Sequence, residues 1–381
     1  MFNTKKVDVA IVGAGILGLA HACLAARSGR SVAVFERNPA AMGASIRNFG
    51  MIWPIGQPPG ELHQLALRSR KIWLEILHEA TLPYFETGSL HAAYRDDEAA
   101  VGQEFSENGP SLGYDCAWLT PDEALARSHA LSADGLLGAL WSPKEMTVDP
   151  REVMRSLPRF LTERYGVQFH FNTAVQRVET GSLYSADRRW EAKATIVAGG
   201  DDFQTLFPEC FQDSGLTRCK LQMMRTVAQP KGWLLGPSLA FGLSFRHYPT
   251  FQVCGTLQVL KDRIARETPE LDRWGIHVMV SQTSLGELTI GDSHEYGLEV
   301  NVFDNPAVNG LILGFAEKHL RVPTLQIAEQ WHGVYAKHPE RAWLRLAPAD
   351  GVRVVTVTSG IGMTISFGLA EQTLLEMGVV A

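Results

Sequence analysis

An α/β fold, α+β over the whole chain, is what this sequence predicts, and three observations carry the expectation. Residues 7–36, VDVAIVGAGILGLAHACLAARSGRSVAVFE, read as strand, glycine-rich turn, helix and strand. Two later strands, 195–198 and 352–358, each end in paired glycines, the second running on into a helix. Between them, residues 218–315 hold many short alternating apolar runs, the signature of a mainly antiparallel sheet.

The first unit defines a nucleotide site. Val7, Val9, Ile11 and Val12 form a β-branched run suited to a buried parallel strand. Gly13, Gly15 and Gly18 follow with G-x-G-x-x-G spacing around Ala14 and Ile16. Gly13 permits the tight turn, Gly15 lets backbone approach a pyrophosphate, and Gly18 lets the helix from about Ile16 pack on the strand. The amides at that helix start face the pyrophosphate, where the helix dipole favours negative charge. Glu36, 18 residues past Gly18, is placed to accept hydrogen bonds from the adenosine ribose, and an acid there disfavours a 2'-phosphate. The fold is therefore expected to be a Rossmann-like domain for FAD or NAD.

The remaining elements follow in order. In residues 61–80, Leu62, Leu65, Ile72, Trp73, Ile76 and Leu77 recur at helical spacing and are core. ETGSLHAAYRDD reads as a strand or hairpin, and TPDEALARS as a helix capped by Thr120 or Asp122. Asp149 is an N-cap with Pro150 in the first turn, and a strand is expected at 168–171. WEAKATIVAGG is a buried strand closed by Gly199 and Gly200, a second place where backbone could approach a cofactor or simply turn. LQMMRTVAQ, FGLSFRHY, QVCGTLQVL, IHVMVSQTSL, ELTIGD and LILGF are the expected sheet strands. The last helix is expected to start near Ile365.

Composition excludes several classes. With 381 residues, 45% of them hydrophobic, the chain can bury two cores. A net charge of −6 and no basic tail argue against a nucleic-acid partner. No apolar run approaches the roughly 20 residues of a transmembrane helix, and no signal peptide precedes the first strand, so a cytoplasmic location is expected. The five cysteines form no C-x-x-C pair and the histidines no H-x-x-x-H spacing, so neither a disulfide framework nor a metal is assigned. Oligomeric state, including a homo-oligomer, stays open.

The glycine unit, GASIRNFGM at 43–51, TIVAGG and the closing SGIGMT occur in the order of one flavoprotein family. Over nearly its full length the chain resembles the D-amino-acid oxidase and glycine oxidase family of FAD-dependent amine oxidoreductases. The resemblance implies that Arg37 joins Glu36 near the adenosine, and that Ala44, Ser45, Arg47, Asn48, Phe49, Gly50 and Met51 wrap the pyrophosphate and flavin side. It puts Val175 at a backbone contact to adenine. It implies that Gly360, Ile361, Gly362, Met363 and Thr364 direct amides at the flavin N1 and O2 edge, where reduced flavin is negative. Ile46 stands where covalent members carry a histidine, so noncovalent FAD is implied.

NFGMIWPIGQPPGE at 48–61 is similar to a bacterial subgroup associated with phosphonate breakdown, implying 2-aminoethylphosphonate or its N-alkyl relatives as substrates. The chain also departs from the family's W-x-G-x-R-P stretch: Trp331, His332, Gly333, Val334, Tyr335 and Ala336 put tyrosine in place of the carboxylate-binding arginine. A tyrosine hydroxyl donates one hydrogen bond and is uncharged, so a carboxylate would lose its bidentate partner. Arg47, Arg246 and Lys337 are then the candidates for an anionic group, with Arg246, His247 and Tyr248 expected at a strand end. Tyr335, His332, His247, Tyr248 and Met51 are candidates to line the substrate site, and no protein base stands out. The implied domains are 1–84, 141–217 and 320–381 for FAD, and 85–140 and 218–319 for substrate. The expected chemistry is oxidation of a C–N bond by hydride transfer to flavin, with dioxygen or another acceptor restoring it. Rivals are a glycine, sarcosine or D-amino-acid oxidase, a flavin monooxygenase prompted by Gly291-Asp292, and a nonenzymatic binding protein.

Overall fold

The computed structural model describes residues 3–186 and 188–381. Two large sheets organise them. The first runs Trp343–Leu346, Val352–Val357, Arg188–Val197, Asn3–Val12, Val32–Phe35 and Gln168–His170 in spatial order. These six pair in parallel except for the antiparallel edge strand Trp343–Leu346, and Ser182–Tyr184 and Arg177–Glu179 add an antiparallel extension on Arg188–Val197. The parallel strands are apolar on both faces, and both are covered. On one, Val9 and Ile11 pack with helices Ile16–Arg27, Glu61–Glu79, Pro150–Tyr165 and Gly362–Glu376. On the other, Ala10 and Phe35 meet Val175, Trp190 and Leu206.

The helices at 61–79, 121–127 and 150–165 form where the sequence predicts. Asp149 caps Pro150–Tyr165 through the Arg151 amide, and Thr120 makes a reciprocal capping box with Glu123. Glu61–Glu79 buries Leu65, Ile72, Trp73, Ile76 and Leu77, with Leu62 packed at the edge. Trp73 is fully buried and its indole N–H donates to the Met363 carbonyl at 2.8 Å. Burial of one such side chain contributes about 1.5–3 kcal/mol, and the hydrogen bond ties this helix to the C-terminal glycine turn.

The second sheet is mainly antiparallel. Its order is Glu295–Gly297, Thr217–Thr226, Leu288–Gly291, Met279–Gln282, Ser238–Phe241, Ser89–Ala93, Gly138–Ser142 and Ala117–Leu119. The long strand Ile327–Lys337 also belongs here, pairing with Thr217–Thr226, although it lies within the 320–381 segment expected beside the cofactor.

Three expected strands are corrected to helices. LILGF lies inside helix Pro306–His319, where Val308, Ile312, Ala316 and His319 are buried at helical spacing behind an Asn305 cap. QVCGTLQVL becomes a 3-10 turn and helix Leu257–Glu267, burying Leu257, Leu260 and Ile264. FGLSFRHY forms helix Gly242–His247 after strand Ser238–Phe241, so Arg246, His247 and Tyr248 sit at a helix C-terminus and not at a strand end. A short apolar run taken alone shows too few turns to separate the two periods. The helix Asp96–Asn108 was not foreseen, and the last helix starts at Gly362, three residues early.

Candidate active site

The two sheets meet at a cavity of about 370 Å³, within the range of cofactor sites. One wall comes from the first glycine turn. Gly13 has φ +102°, and a Cβ there would lie 2.4 Å from the Ala198 carbonyl oxygen, so only glycine fits. Two turn amides are already held: Ala14 N–H donates to Glu36 Oε2 at 3.0 Å and Ile16 N–H to Ser45 Oγ at 2.9 Å. The amides of Gly15 and Leu17, on the cavity wall, have no partner among the described residues. Open donors at a helix start are what a pyrophosphate requires.

Next comes the 44–51 segment. Asn48 Nδ2 donates to the carbonyls of Ala44 and Ser45 at 2.9 and 3.0 Å, and its Oδ1 accepts the Gly50 amide at 2.7 Å. Asn48 thereby fixes the curl that lays Ala44, Ser45, Arg47, Phe49 and Met51 along the cavity. Ser281 Oγ donates to the Phe49 carbonyl at 2.7 Å, joining this segment to the second sheet.

The cavity's far end is formed by the C-terminal turn. The first helical hydrogen bond there runs from Ile365 N–H to Ile361 O at 3.1 Å, leaving the amides of Gly362, Met363 and Thr364 ahead of it. Thr364 Oγ1 accepts the Trp53 amide at 3.0 Å. Glu36, Arg37, Val175, Gly199 and Gly200 line the opposite end, where Arg37 pairs with Asp202 at 2.6 Å. Among the nucleotide candidates, Ala14, Gly18 and Gly50 lie behind the lining. A Cβ on Gly18 would meet the Gly13 carbonyl at 2.0 Å, which makes it a packing residue of the turn.

The second sheet and the helix end beside it supply the remaining wall: His247 and Tyr248 from the helix end, Met279 and Tyr335 from strands, together with His277, Asp292 and His294. Arg246, His332 and Lys337 do not line it. Arg246 pairs with Asp272 and donates to the carbonyls of Leu271 and Ile276. His332 Nδ1 is 2.8 Å from Asp304, and the Lys337 ammonium lies 5.8 Å from the Tyr296 ring. Arg47 is the guanidinium left in the cavity without an acidic partner among the described residues; it donates to the His332 carbonyl at 3.2 Å.

His277 and His294 escaped the sequence reading, and Asp292 entered it only within the Gly291-Asp292 pair that prompted the monooxygenase alternative. They bracket the apolar strands Met279–Gln282 and Leu288–Gly291, and polar residues at both ends of a strand pair were the available signal. His277 and Asp292 exchange backbone hydrogen bonds of 3.3 and 3.0 Å, bringing His277 Nε2 to 3.1 Å from Asp292 Oδ1. Burial drives Asp292 well above the usual carboxylate range and holds His247 and His277 well below the usual imidazole range. His294 is lowered to about 4 by burial, against the pull of the Gly275 carbonyl. Neutral imidazoles at neutral pH follow.

Nitrogens of His247, His277 and His294 lie within 4.8 Å of one another. The rings nevertheless stack: His247 on His277 at 3.8 Å and 25°, His277 on His294 at 5.2 Å and 16°. Near-parallel imidazoles direct their lone pairs along parallel planes, which does not suit tetrahedral coordination.

The model of the family described as FAD dependent oxidoreductase (DAO) matches residues 8–374. The chain belongs to this family of FAD-dependent oxidoreductases, and the open amides and glycine cradle fit FAD. It is 28% identical to glycine oxidase of Geobacillus kaustophilus strain HTA426 over 209 residues, 52% of this chain and 55% of that protein. The alignment thus spans about half the length of that relative. The crystal structure titled glycine oxidase from Geobacillus kaustophilus superposes with a TM-score of 0.76 at 19% identity, covering 98% of this chain and 95% of the other. L-proline dehydrogenase from P. horikoshii gives 0.79 at 19%, covering 98% and 94%. At these identities the likeness is one of fold. Among the described residues, no helix is long and apolar enough to cross a membrane.

Proposed function

We propose that this chain oxidises the C–N bond of a small amine bearing an anionic group, 2-aminoethylphosphonate or an N-alkyl derivative, giving phosphonoacetaldehyde and ammonia or an alkylamine. The observation that carries the reading is Tyr335 on the cavity wall beside Gly360, where a Cβ on that glycine would lie 3.1 Å from the tyrosine hydroxyl. The arginine fork that suits a planar carboxylate is replaced by a single neutral donor. Arg47 remains as the cation for the anionic group, and the N–H groups of neutral imidazoles add donors for tetrahedral oxygens. C–N oxidation itself is supported by family membership and by the relatives named glycine oxidase and L-proline dehydrogenase.

FAD, when bound, supplies the hydride acceptor. We assign Gly15, Leu17 and Ser45 to the pyrophosphate, Glu36 to the ribose, Val175 to the adenine, and the amides of Gly362, Met363 and Thr364 to the flavin's anionic edge. Attachment is proposed as noncovalent, since Ile46 stands where covalent members carry a histidine and, among the described residues, no cysteine lines the cavity. Tyr335, Tyr248, His247 and Met51 orient the substrate, and the apolar faces of Met51, Met279 and Trp53 restrict water. Residues 1–84, 141–217 and 320–381 form the proposed cofactor unit and 85–140 and 218–319 the substrate unit, with strand Ile327–Lys337 lent to the second.

Anaerobic titration of the yellow protein tests this reading. Bleaching by 2-aminoethylphosphonate or its N-methyl derivative, and not by glycine or sarcosine, is expected. Preference for glycine or sarcosine would keep amine oxidation and remove the phosphonate, while stoichiometric NADPH consumption would move the chain to monooxygenases.

A further inference from the structure

We propose that Asp292 receives the substrate's ammonium and takes its proton before the C–H bond is broken, with the His277 ring packed against its carboxyl group. The inference deepens the amine reading above and rests on it. Asp292 is 5% exposed and lines the cavity. Among the described residues no lysine or arginine lies within ion-pair distance of it. Its neighbours are imidazoles: His277 Nε2 is 3.1 Å from Oδ1 and His294 Nε2 3.9 Å from Oδ2. Although His277 is close, its alignment with Oδ1 is too poor for a hydrogen bond, and Oδ1 is buried without a donor. His294 is oriented away by the 3.0 Å contact of its Nδ1 with the Gly275 carbonyl.

A buried carboxylate oxygen lacking both donor and counter-ion is costly in isolation, so burial keeps the resting Asp292 carboxyl protonated, and this proton leaves to solvent as the ammonium ion pair forms. An ammonium arriving from the cavity supplies both. Proton transfer then breaks one N–H bond, forms one O–H bond on Asp292 and leaves the electron pair on nitrogen, converting two buried charges into a neutral amine and a neutral acid. Burial favours that direction, because it strengthens a carboxylate as a base and an ammonium as an acid. The other groups facing Asp292 are Cys219 on the neighbouring strand, Tyr296 and Tyr335 across the sheet, and Tyr248 past the end of helix Gly242–His247, while Lys337 and Arg246 act on His247 and His294. His91 lies behind His277. Of these, Tyr335, Tyr248 and Tyr296 are raised by burial and stay protonated, leaving Asp292 as the oxygen base.

The experiment compares FAD-loaded wild type, Asp292→Asn and His277→Gln. The reductant is whichever of 2-aminoethylphosphonate, N-methyl-2-aminoethylphosphonate, glycine or sarcosine bleaches wild type fastest. Reduction is followed anaerobically from pH 6 to 10, and binding of the nitrogen-free analogue, ethylphosphonate or acetate, is followed by flavin spectral perturbation. Asp292→Asn is expected to slow reduction at pH 7 by about 100-fold or more and to recover as the pH approaches that of free amine, the pattern of a lost base. Analogue affinity should change less than about threefold, since the analogue carries no ammonium to lose. His277→Gln should move the acid limb of the profile and leave its upper plateau.

An Asp292→Asn variant with the wild-type profile, or one slowed equally at every pH, overturns the inference while amine oxidation stands. Failure of every amine to bleach wild type overturns both. Should Asp292→Asn not retain FAD, Asp292→Glu is measured: a retained acid limb with reduced rate supports the base, and a vanished limb overturns it.

Discussion

Glu36 Oε2 accepts the Ala14 amide at 3.0 Å while Oε1 accepts the backbone and side-chain N–H groups of Asn38, each at 3.0 Å. One carboxylate thereby shapes the glycine turn from the neighbouring strand and remains on the cavity wall. Glu36→Ala removes charge-assisted bonds of about 1.5–3 kcal/mol each, so FAD affinity should fall by at least about tenfold. Glu36→Gln, which keeps one acceptor oxygen, should lose less. Titration of apoprotein with FAD by fluorescence quenching measures both, and equal affinities for Ala and wild type would reject this role.

The turn and an exposed helix should respond oppositely to the same substitution. Gly13→Ala puts a methyl 2.4 Å from the Ala198 carbonyl at φ +102°, and should cost about 1–3 kcal/mol and weaken FAD retention. Gly310→Ala, inside helix Pro306–His319 with open space at its Cβ, should add about 0.5–1 kcal/mol. Urea midpoints in the apoprotein compare the two.

His91 is fully buried between Trp53, Phe245 and Phe251, neither ring nitrogen has a hydrogen bond, and burial lowers its pKa to about 3. The folded state resists a proton that the unfolded chain binds near 6.5, so this stability is fully present above pH 6.5 and lost as the pH falls toward 3. Within that window the loss is about 1.4 kcal/mol per pH unit. His91→Phe should make the acid side of the stability profile shallower by that slope, read from urea midpoints at pH 7, 6 and 5. An unchanged slope would mean that His91 is not the group responsible.

Arg47 should govern affinity for the anionic end of the substrate. Arg47→Met is expected to raise the concentration needed for half-maximal flavin bleaching about 10- to 100-fold, the loss of one charge-assisted contact, with the flavin spectrum kept. Loss of FAD instead would assign Arg47 to the cofactor.

Most residues that the sequence puts forward for the nucleotide come together on the cavity wall, because the constraints that mark them are local and backbone-based. Gly13, Gly15 and Glu36 recur at a fixed spacing, and the Gly360–Thr364 turn follows its own strand directly. The rest of the cavity was not legible in this way. His277 and His294 are 17 positions apart, joined by a strand pairing that no spacing rule encodes. Arg246 illustrates the converse: its charge marked it as an anion ligand, yet Asp272 and two carbonyls consume its donors. The apolar stretches at 252–260 and 311–315 misled because each is too short to display the helical spacing that Leu257, Leu260 and Ile264, or Val308, Ile312 and Ala316, make plain over the whole element.

The strand Ile327–Lys337 crosses from one segment's sequence neighbourhood into the other sheet, and its pairing with Thr217–Thr226 sets Tyr335 opposite Cys219. Substitutions along that ladder can redraw which molecule is accepted, since the glycine turns that hold the nucleotide belong to a different sheet. Specificity and cofactor retention can therefore diverge in descendants of this chain at ladder positions away from the glycine turn, while Tyr335, packed against Gly360, is where a change in one is felt by the other.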